Sequence, residues 1–443
     1  MKFIYSLFER WIDPFRVLDD KPVPETPFAF IWHFVSQAKG AFVAMLILGG
    51  LVALMEAALF WFVGRLVDLL TAFDRLDGWA GLIHSHGPEL VSMLFIILIA
   101  RTVVIALSAL VEEQAIVPGF FNFVRWQAHR RVARQSVGFF QNDFAGRLAT
   151  KVWQAGQATG DFMVSLLQVI WFSVVYAIST IALVGSLDWQ LALVVAVWLA
   201  IFGLLARRFL PRVRRAARES AEAASMVQGR LVDGYSNIQT LKLFGSQARD
   251  DAYIREGMAH FIGVMMPFTR GLSGIRISLG ITSGVMISAI AVLAIDLWMK
   301  GSISTGGIAF TMGLVLRLNM LLGRMMTQLN SLLRNYGTIQ NSMETVAKPQ
   351  QVPDRPGARA ILPGSGEIQF DHVRFNYGKG TGLFENLNLH IRPGEKVGLV
   401  GRSGAGKSTL VNLLMRFYDL EGGCILIDGQ DISKVRLASL RDN

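Results

Sequence analysis

The stretch from Gly401 to Thr409 has the residue types and spacing needed to hold a polyphosphate. It reads Gly-Arg-Ser-Gly-Ala-Gly-Lys-Ser-Thr, which completes the pattern G-x-x-x-x-G-K-[ST] directly after the apolar run Val397 to Val400. A polyphosphate needs backbone N–H groups that converge on it, and small residues let the chain curl without side-chain clashes. An amphipathic, helix-like run follows. The sequence therefore predicts a phosphate-binding loop between a strand and a helix.

The residues of this loop have separate predicted roles. Lys407 supplies a positive charge for the β and γ phosphates of a nucleotide, and the hydroxyl of Ser408 is the predicted Mg²⁺ ligand. The helix that begins near Lys407 directs its positive N-terminus at the same anion. The loop residues predicted to bind the nucleotide are Gly401, Ser403, Gly404, Ala405, Gly406, Lys407, Ser408 and Thr409.

The composition places this loop in a membrane protein. The chain of 443 residues is 52% hydrophobic and only 17% charged, which is too apolar for an ordinary soluble nucleotide-binding protein. Cys424 is the single cysteine, so an intramolecular disulfide is excluded. The formal charge of +10 raises the question of nucleic-acid binding, which the positions of the charges answer.

Six apolar segments are each long enough to cross about 30 Å of hydrocarbon. They lie near residues 41–66, 89–112, 162–184, 189–210, 273–295 and 304–326. With the N-terminus in the cytoplasm, the inner segments 1–40, 113–161 and 207–270 carry 5, 6 and 11 Lys or Arg residues. The outer side carries only Arg75 and Lys300. This asymmetry follows the positive-inside rule and explains the basic charge without nucleic acid.

Residues 1–40 precede the first span, and their beginning is amphipathic. Apolar residues from Phe3 to Phe15 fall on one helical face, and Glu9 and Arg10 interrupt the apolar run, so it is not a signal peptide. An interfacial helix on the cytoplasmic leaflet is the favoured interpretation, with a helix packed on the protein's own core as the alternative.

The two inner connections keep helical periodicity over about 50 and about 60 residues. Membrane helices are therefore expected to continue beyond the membrane. The chain must reverse once in each connection, and the expected turns are Asn142 to Gly146 and Asp233 to Asn237.

Three of the ionisable residues inside the predicted spans lie at similar depth, where an unpaired charge is costly. Glu56, Arg101 and Arg317 are about 15, 18 and 20 Å from the outer ends of their helices at 1.5 Å per residue. A structural Glu56–Arg101 pair that Arg317 can join is the favoured prediction. A polar cavity that meets an amphiphilic substrate is the alternative, in which the excess of arginine would favour anionic lipids weakly.

The chain changes character after the last span. The predicted membrane domain covers residues 41–343, and proline and glycine mark a linker over 344–366. Residues 367–443 then read as an α/β domain with strands at Glu367–Phe375, Leu387–Ile391, Lys396–Val400 and Gly423–Asp428. Tyr377, at the end of the first strand, is placed to stack on an adenine ring, and an ordinary strand-end aromatic is the alternative.

These stretches together resemble an ATP-binding cassette exporter half-transporter of the B type, the group that includes bacterial lipid A flippases and multidrug exporters. The matching stretches besides the loop are FFQNDFAGRLATK, NIQTLKLFG, GSISTGGIAF, VRFNY and RFYD. The resemblance implies six membrane helices followed by the first half of an α/β nucleotide-binding domain. It also implies that the two reversal turns are coupling helices and that Tyr377 is the adenine-stacking aromatic.

The resemblance implies ATP and Mg²⁺ as cofactors, a bacterial inner membrane, and a cytoplasmic N-terminus and nucleotide domain. The expected function is ATP-driven export or flipping of an amphiphilic lipid or drug-like compound. Expected partners are a second copy of the chain or a related half-transporter, together with membrane lipids. The family's glutamine loop, signature, Walker B and switch histidine have no counterpart in these residues, so we expect a C-terminally truncated chain without a catalytic residue. An ATP-gated channel or a non-transporting regulator is the alternative.

Overall fold

The computed structural model describes residues 2–18, 22–73, 78–141, 143–245, 247–377 and 383–442. The chain divides into two compact units. The first unit comprises Met1–Trp11, Lys39–Val117 and Asp161–Asn335. The second comprises Ile12–Ala38, Pro118–Gly160 and Tyr336–Asn443.

Helices make up most of the described chain before residue 347. The α-helices are α1 Lys2–Glu9, α2 Pro27–Val35, α3 Lys39–Ala72, α4 Gly78–Phe95, α5 Arg101–Leu110, α6 Phe121–Ala133, α7 Val137–Gln141, α8 Ala145–Ser165, α9 Phe172–Gly185, α10 Trp189–Ser236, α11 Ile238–Phe244, α12 Gln247–Met299 and α13 Thr305–Val346. Wider π-helical turns join α4 to α5, α5 to α6 and α8 to α9, over Ile96–Ala100, Val111–Phe120 and Leu166–Trp171.

Within the described residues, six helical stretches are long and apolar enough to cross a membrane. They are Lys39–Ala72, Gly78–Ala133, Ala145–Gly185, Trp189–Ser236, Ala248–Met299 and Thr305–Val346, and their most apolar windows have mean hydropathies from 1.4 to 2.7. All of them exceed the length that a bilayer requires, because even the shortest, with 34 residues, spans about 51 Å as an α-helix. The prediction of a six-helix membrane fold is confirmed, and the extension of these helices past the bilayer stays a prediction.

Two glycines let α3 and α13 approach closely in the first unit. A Cβ atom on Gly64 would lie 2.6 Å from the carbonyl oxygen of Gly306 and 2.7 Å from the Cβ of Phe310. Small residues at such crossings allow the backbones of membrane helices to meet. Asp68 of α3 then accepts hydrogen bonds from the Gly306 N–H and the Ser304 hydroxyl, both at 2.7 Å. The carboxylate thus caps the N-terminus of α13.

The second reversal lies later in the chain than predicted. The sequence predicts it at Asp233 to Asn237, but α10 continues through Ser236. The Asp233 carbonyl at the end of α10 accepts hydrogen bonds from both the backbone N–H and the side chain of Asn237. The short helix α11 then leads into α12. In the first connection, Asn142 lies outside the described residues, and α8 begins at Ala145.

A four-stranded antiparallel sheet in the order β2-β1-β3-β4 follows in the second unit. Its strands are β1 Ile368–Phe375, β2 Phe384–Ile391, β3 Gly422–Ile427 and β4 Gln430–Asp431, with α14 Lys407–Leu414 between β2 and β3 and α15 Leu437–Asp442 at the end. Phe370, Val373 and Ile425 of the sheet pack on Leu413 of α14 in one core. The predicted start of a nucleotide-binding α/β domain is confirmed.

The strand predicted over Lys396–Val400 is wrong for this structure. These residues have no regular secondary structure, although their apolar run is typical of a buried strand. A strand of that kind needs neighbours that pair with its backbone and cover its side chains. None of the described strands pairs with this run, and the Val400 side chain is 98% exposed.

Arg416 anchors the turn after α14. Its side chain is 2% exposed, and its Nε donates to Asp419 at 2.9 Å. Its guanidinium also donates to the carbonyls of Pro353, Ile432 and Val435 at 3.2 to 3.5 Å. A buried charge is tolerated only when it is paired and hydrogen-bonded in this way. The residues before β1 are therefore tied to the loop after β4 through one side chain.

Candidate functional site

The phosphate loop has the backbone conformation that its glycines predict. Gly404 and Gly406 have φ angles of +84° and +87°, a region that costs energy for residues with a Cβ atom. A Cβ atom on Gly406 would also lie 2.9 Å from Cζ of Phe384. Immediately afterwards, α14 begins at Lys407. The loop therefore ends at a helix N-terminus, as an anion site of this type requires.

The Lys407 ammonium contacts the phosphate loop. Its Nζ donates to the carbonyl oxygens of Gly401 and Arg402 at 2.8 and 2.9 Å. Ser403 and Ser408 are exposed, whereas Thr409 is buried in the first turn of α14. The loop thus brings together one cation, one exposed hydroxyl at the helix start and a backbone turned by two left-handed glycines. This donor set fits a polyphosphate with a Mg²⁺ ion.

Tyr377 lies beside the same helix. Its hydroxyl donates to Oγ1 of Thr409 at 3.0 Å, and its ring makes edge contacts with Phe375 and Tyr418 at centroid distances of 4.9 and 5.1 Å. The residue remains 47% exposed. The structure therefore brings Tyr377 to the phosphate loop, and its predicted stacking on adenine stays a prediction.

Tyr418 connects this aromatic group to the first reversal. Its hydroxyl donates to Oε1 of Gln141 in α7 at 2.8 Å. A Cβ atom on Gly138 would lie 2.9 Å from Cε1 of the same ring, so α7 packs directly against the tyrosine. Burial, with a smaller effect of Tyr377, raises the pKa of the Tyr418 hydroxyl. The hydroxyl therefore remains a proton donor over the physiological range.

Two features of the membrane helices in the first unit bear on substrate binding. The first is a cluster in which Glu56 contacts Arg101 at 3.4 Å and Arg317 at 2.6 Å. The predicted Glu56–Arg101 pair is confirmed, and Arg317 joins it. The second is a cavity of about 610 Å³ among α10, α12 and α13, lined by apolar side chains together with Arg276 and Arg324. That volume suits a ligand of drug size.

Comparisons with known proteins identify the family. The description "ABC transporter transmembrane region" matches residues 42–322, and the description "ABC transporter" matches residues 384–443. The chain belongs to the ATP-binding cassette transporters. An uncharacterized ATP-binding cassette transporter ATP-binding protein of Haemophilus influenzae is 35% identical over 99% of this chain and 70% of its own length. The mouse ATP-binding cassette sub-family B member 6 is 28% identical over 72% of this chain and 37% of its own length.

A solved structure has the same fold as this ATP-binding cassette chain. It is a bacterial Atm1-family exporter with ATP bound, with a TM-score of 0.70 and 20% sequence identity over 92% of this chain and 70% of its own. The membrane helices and the partial nucleotide domain therefore form an exporter fold. The chain is an integral membrane protein of this family, and ATP binding is a property that its nucleotide domain implies.

Sequence reasoning missed two parts of these sites. The stretch RFYD was matched to the family without a role for Tyr418, because nothing local links it to Gln141, which lies 277 positions earlier. The cavity was also missed, although Arg276 and Arg324 interrupt predicted spans in the same way as Arg317. Charged residues inside apolar helices were the signal available for it.

Proposed function

We propose that this chain is half of an ATP-driven exporter that moves an amphiphilic compound across a bacterial inner membrane. The observation that carries the proposal is the combination, on one chain, of six apolar helices with a glycine loop that places Lys407 at the start of α14. A membrane-only protein has no use for such a loop, and a soluble nucleotide-binding protein has no use for such helices.

The nucleotide site would consist of Tyr377 and the loop from Gly401 to Thr409. Lys407 would exchange its two carbonyl acceptors for phosphate oxygens, and the exposed Ser408 hydroxyl would be a Mg²⁺ ligand. When bound, ATP and Mg²⁺ supply the free energy of phosphoryl transfer. We assign no residue of these 443 to the activation of water, so the hydrolytic step is proposed for the whole transporter.

A homodimer is the proposed working state. Each chain carries six membrane helices and one phosphate loop, whereas such exporters are expected to work with twelve and two. The turn around α11 supports an additional partner, because Leu243 and Phe244 are 75% and 86% exposed and Tyr235 is 71% exposed. An apolar tip of this kind is costly in water and is typical of a contact surface. A related half-transporter is the other possible partner.

The proposed orientation puts the N-terminus and the nucleotide domain in the cytoplasm. The charge asymmetry along the sequence supports it, with 11 Lys or Arg residues between positions 207 and 270. In α1, Phe3 and Leu7 are 84% and 67% exposed, as expected for a helix that lies in the interface of a membrane. Helix α1 therefore belongs to the proposed inner-leaflet surface.

The cavity among α10, α12 and α13 supports an amphiphilic substrate. Arg276 and Arg324 are about 30 Å from the proposed outer ends of their helices, at the level of the inner headgroups. The rest of the wall includes Leu272, Ile275 and Met320. Apolar walls with two cations suit a molecule that has a hydrocarbon part and a polar or acidic end.

Reconstituted vesicles provide the test. In vesicles that contain the whole transporter, ATP added on the nucleotide-domain side should drive a fluorescent amphiphile across the bilayer. Lys407→Ala should abolish this movement and weaken ATP binding at least about tenfold, since a hydrogen bond to a charged group is worth about 1.5–3 kcal/mol. Lys434→Ala is the matched control, because Lys434 is an exposed lysine of the same domain. ATP-gated ion currents without amphiphile movement would instead support the channel.

A further inference from the structure

Three charged side chains from three membrane helices meet in the first unit. Glu56 of α3 accepts from Nη2 of Arg101 in α5 through one carboxylate oxygen at 3.4 Å. It accepts from Nη2 of Arg317 in α13 through the other oxygen at 2.6 Å. Each carboxylate oxygen is therefore engaged by one guanidinium group. One negative charge faces two positive charges, and the group carries a net charge of +1.

The cluster also holds hydrogen-bond donors that nothing in the described part of the chain satisfies. The Nε atoms of Arg101 and Arg317 are both buried, and neither has an acceptor there. The same is true of the hydroxyl of Tyr176, a residue of α9 whose side chain is fully buried. An unsatisfied buried donor costs about 1–3 kcal/mol, and more when it is charged. Three such donors and a surplus charge are more than a structural ion pair needs.

An oxyanion is the ligand that would use the exposed edges of the two guanidinium groups and offset the surplus positive charge. A guanidinium binds carboxylate or phosphate oxygens through parallel N–H donors, and it does so best where water is scarce. Arg101 and Arg317 keep 32% and 25% of their side chains exposed, so each has an edge open to a ligand, while Glu56 is only 16% exposed. The single carboxylate holds both guanidinium groups in place but leaves their charge incompletely neutralised.

We propose that Arg101 and Arg317 form a binding site for the acidic group of the transported amphiphile, with Glu56 as the residue that positions both arginines. The inference rests on the proposed export function and names its substrate class, an amphiphile with a carboxylate or a phosphate at its polar end. Glu56 would also limit affinity. A site with two uncompensated arginines would hold an anion too tightly to release it.

A nucleotide-free binding measurement tests the site apart from transport. The chain is placed in lipid nanodiscs and titrated calorimetrically with decanoate, decyl phosphate and decanol, with empty nanodiscs subtracted. Decanoate or decyl phosphate should bind, and Arg101→Gln and Arg317→Gln should each weaken that binding at least about tenfold. The affinity for decanol should not change. Tighter binding of decanoate would identify a carboxylate as the acidic group of the substrate, and tighter binding of decyl phosphate would identify a phosphate.

The sign of the Glu56→Gln effect separates an anion site from a purely structural cluster. Glu56→Gln removes the competing charge but keeps an amide oxygen that can accept from a guanidinium, so it should strengthen acid binding, whereas a purely structural cluster requires no gain in acid affinity. Arg317→Lys keeps the charge and should retain part of the affinity, which guards against misfolding of the glutamine variants. Arg215→Gln is the matched control, because Arg215 forms an exposed pair with Glu219 in α10.

Equal affinities for the acids in the wild type and in both arginine variants would overturn the inference, as would equal affinities for decanol and the acids. The proposed function fails differently. Acid binding that depends on the arginines, without any ATP-driven movement of an amphiphile in vesicles, would leave the anion site in place and refute export.

Discussion

The contact between Tyr418 and Gln141 predicts a measurable coupling between the first reversal and the nucleotide domain. Tyr418→Phe removes the hydroxyl that donates to Gln141 at 2.8 Å but keeps the ring that packs on Tyr377. Gln141→Ala removes the acceptor. A neutral hydrogen bond contributes about 0.5–1.5 kcal/mol, and Gln141 is exposed, so we expect a coupling free energy of about 0.5–1 kcal/mol.

Cys424 provides the assay, since it is the single cysteine and lies half-buried in β3 of the same unit. Short pulses of a thiol reagent at increasing urea concentrations report the fraction of unfolded nucleotide domain, and the midpoint and steepness of the transition together give the free energy of unfolding. Each single variant should lower that free energy. The double variant should lower it by less than the sum of the two, because the contact is lost only once.

A matched substitution, Tyr253→Phe, controls for the loss of a tyrosine hydroxyl, because Tyr253 is 50% exposed in α12 of the other unit. It should leave the Cys424 midpoint unchanged. Fully additive effects of Tyr418→Phe and Gln141→Ala would refute the reasoning, since two groups without a shared contact have no coupling free energy.

Two further predictions concern the membrane helices and acid stability. Gly64→Ala should lower the melting temperature of the detergent-solubilised protein, because its Cβ would lie 2.6 Å from a carbonyl oxygen of α13. Overpacking of this kind costs about 1–3 kcal/mol. Gly280→Ala is the control and should not lower the melting temperature, because its Cβ would meet no atom within 4 Å. Hydrogen bonds from the Glu367 N–H and from Ser365 and Gly366 lower the pKa of the Asp428 carboxyl. That carboxylate therefore stabilises the fold above its ordinary pKa, and the stabilisation is lost as the pH falls through the folded-state pKa. The cysteine assay can be run in acid with dithiodipyridine, which still reacts with thiols there. Below about pH 4, the free energy of unfolding should fall less steeply in Asp428→Asn than in the wild type. Equal slopes would contradict a stabilising role for the Asp428 carboxylate.

The parts of the site that the sequence predicts are those encoded over short distances. The spacing from Gly401 to Lys407 determines the left-handed glycines and the helix start, because each depends on the residue's own backbone preference. Glu56 and Arg101 were also predictable, because helical rise fixes their depth and an unpaired charge at that depth is costly. In both cases the structure agrees with the prediction, made from glycine backbone preference for the loop and from helical rise for the ion pair.

The parts that the sequence does not predict depend on partners far away in the chain. Lys396–Val400 has the apolar pattern of a strand, yet pattern alone supplies no neighbouring backbone, and the run remains irregular. Arg416 reads as a surface residue, and its burial depends on carbonyls at Pro353, Ile432 and Val435. Whether Lys396–Val400 forms a strand and whether Arg416 is buried therefore depend on tertiary contacts, which leave no pattern in the neighbouring sequence.

The second unit contains a continuous line of contacts from the first reversal to the phosphate loop. Gln141 bonds to Tyr418, the Tyr418 ring meets the edge of Tyr377, and the Tyr377 hydroxyl bonds to Thr409 in the first turn of α14. Thr409 is buried, so a shift of the loop on nucleotide binding would have to move or break its bond to Tyr377. Neither hydrogen bond is charged, and the ring contact is worth about 0.5–1.5 kcal/mol. The coupling free energy cannot exceed that of the weakest of these contacts. Nucleotide can therefore shift the equilibrium position of α7 through these residues by about 1 kcal/mol, or about fivefold. A larger effect of ATP on α7 would therefore have to travel through contacts other than these two tyrosines.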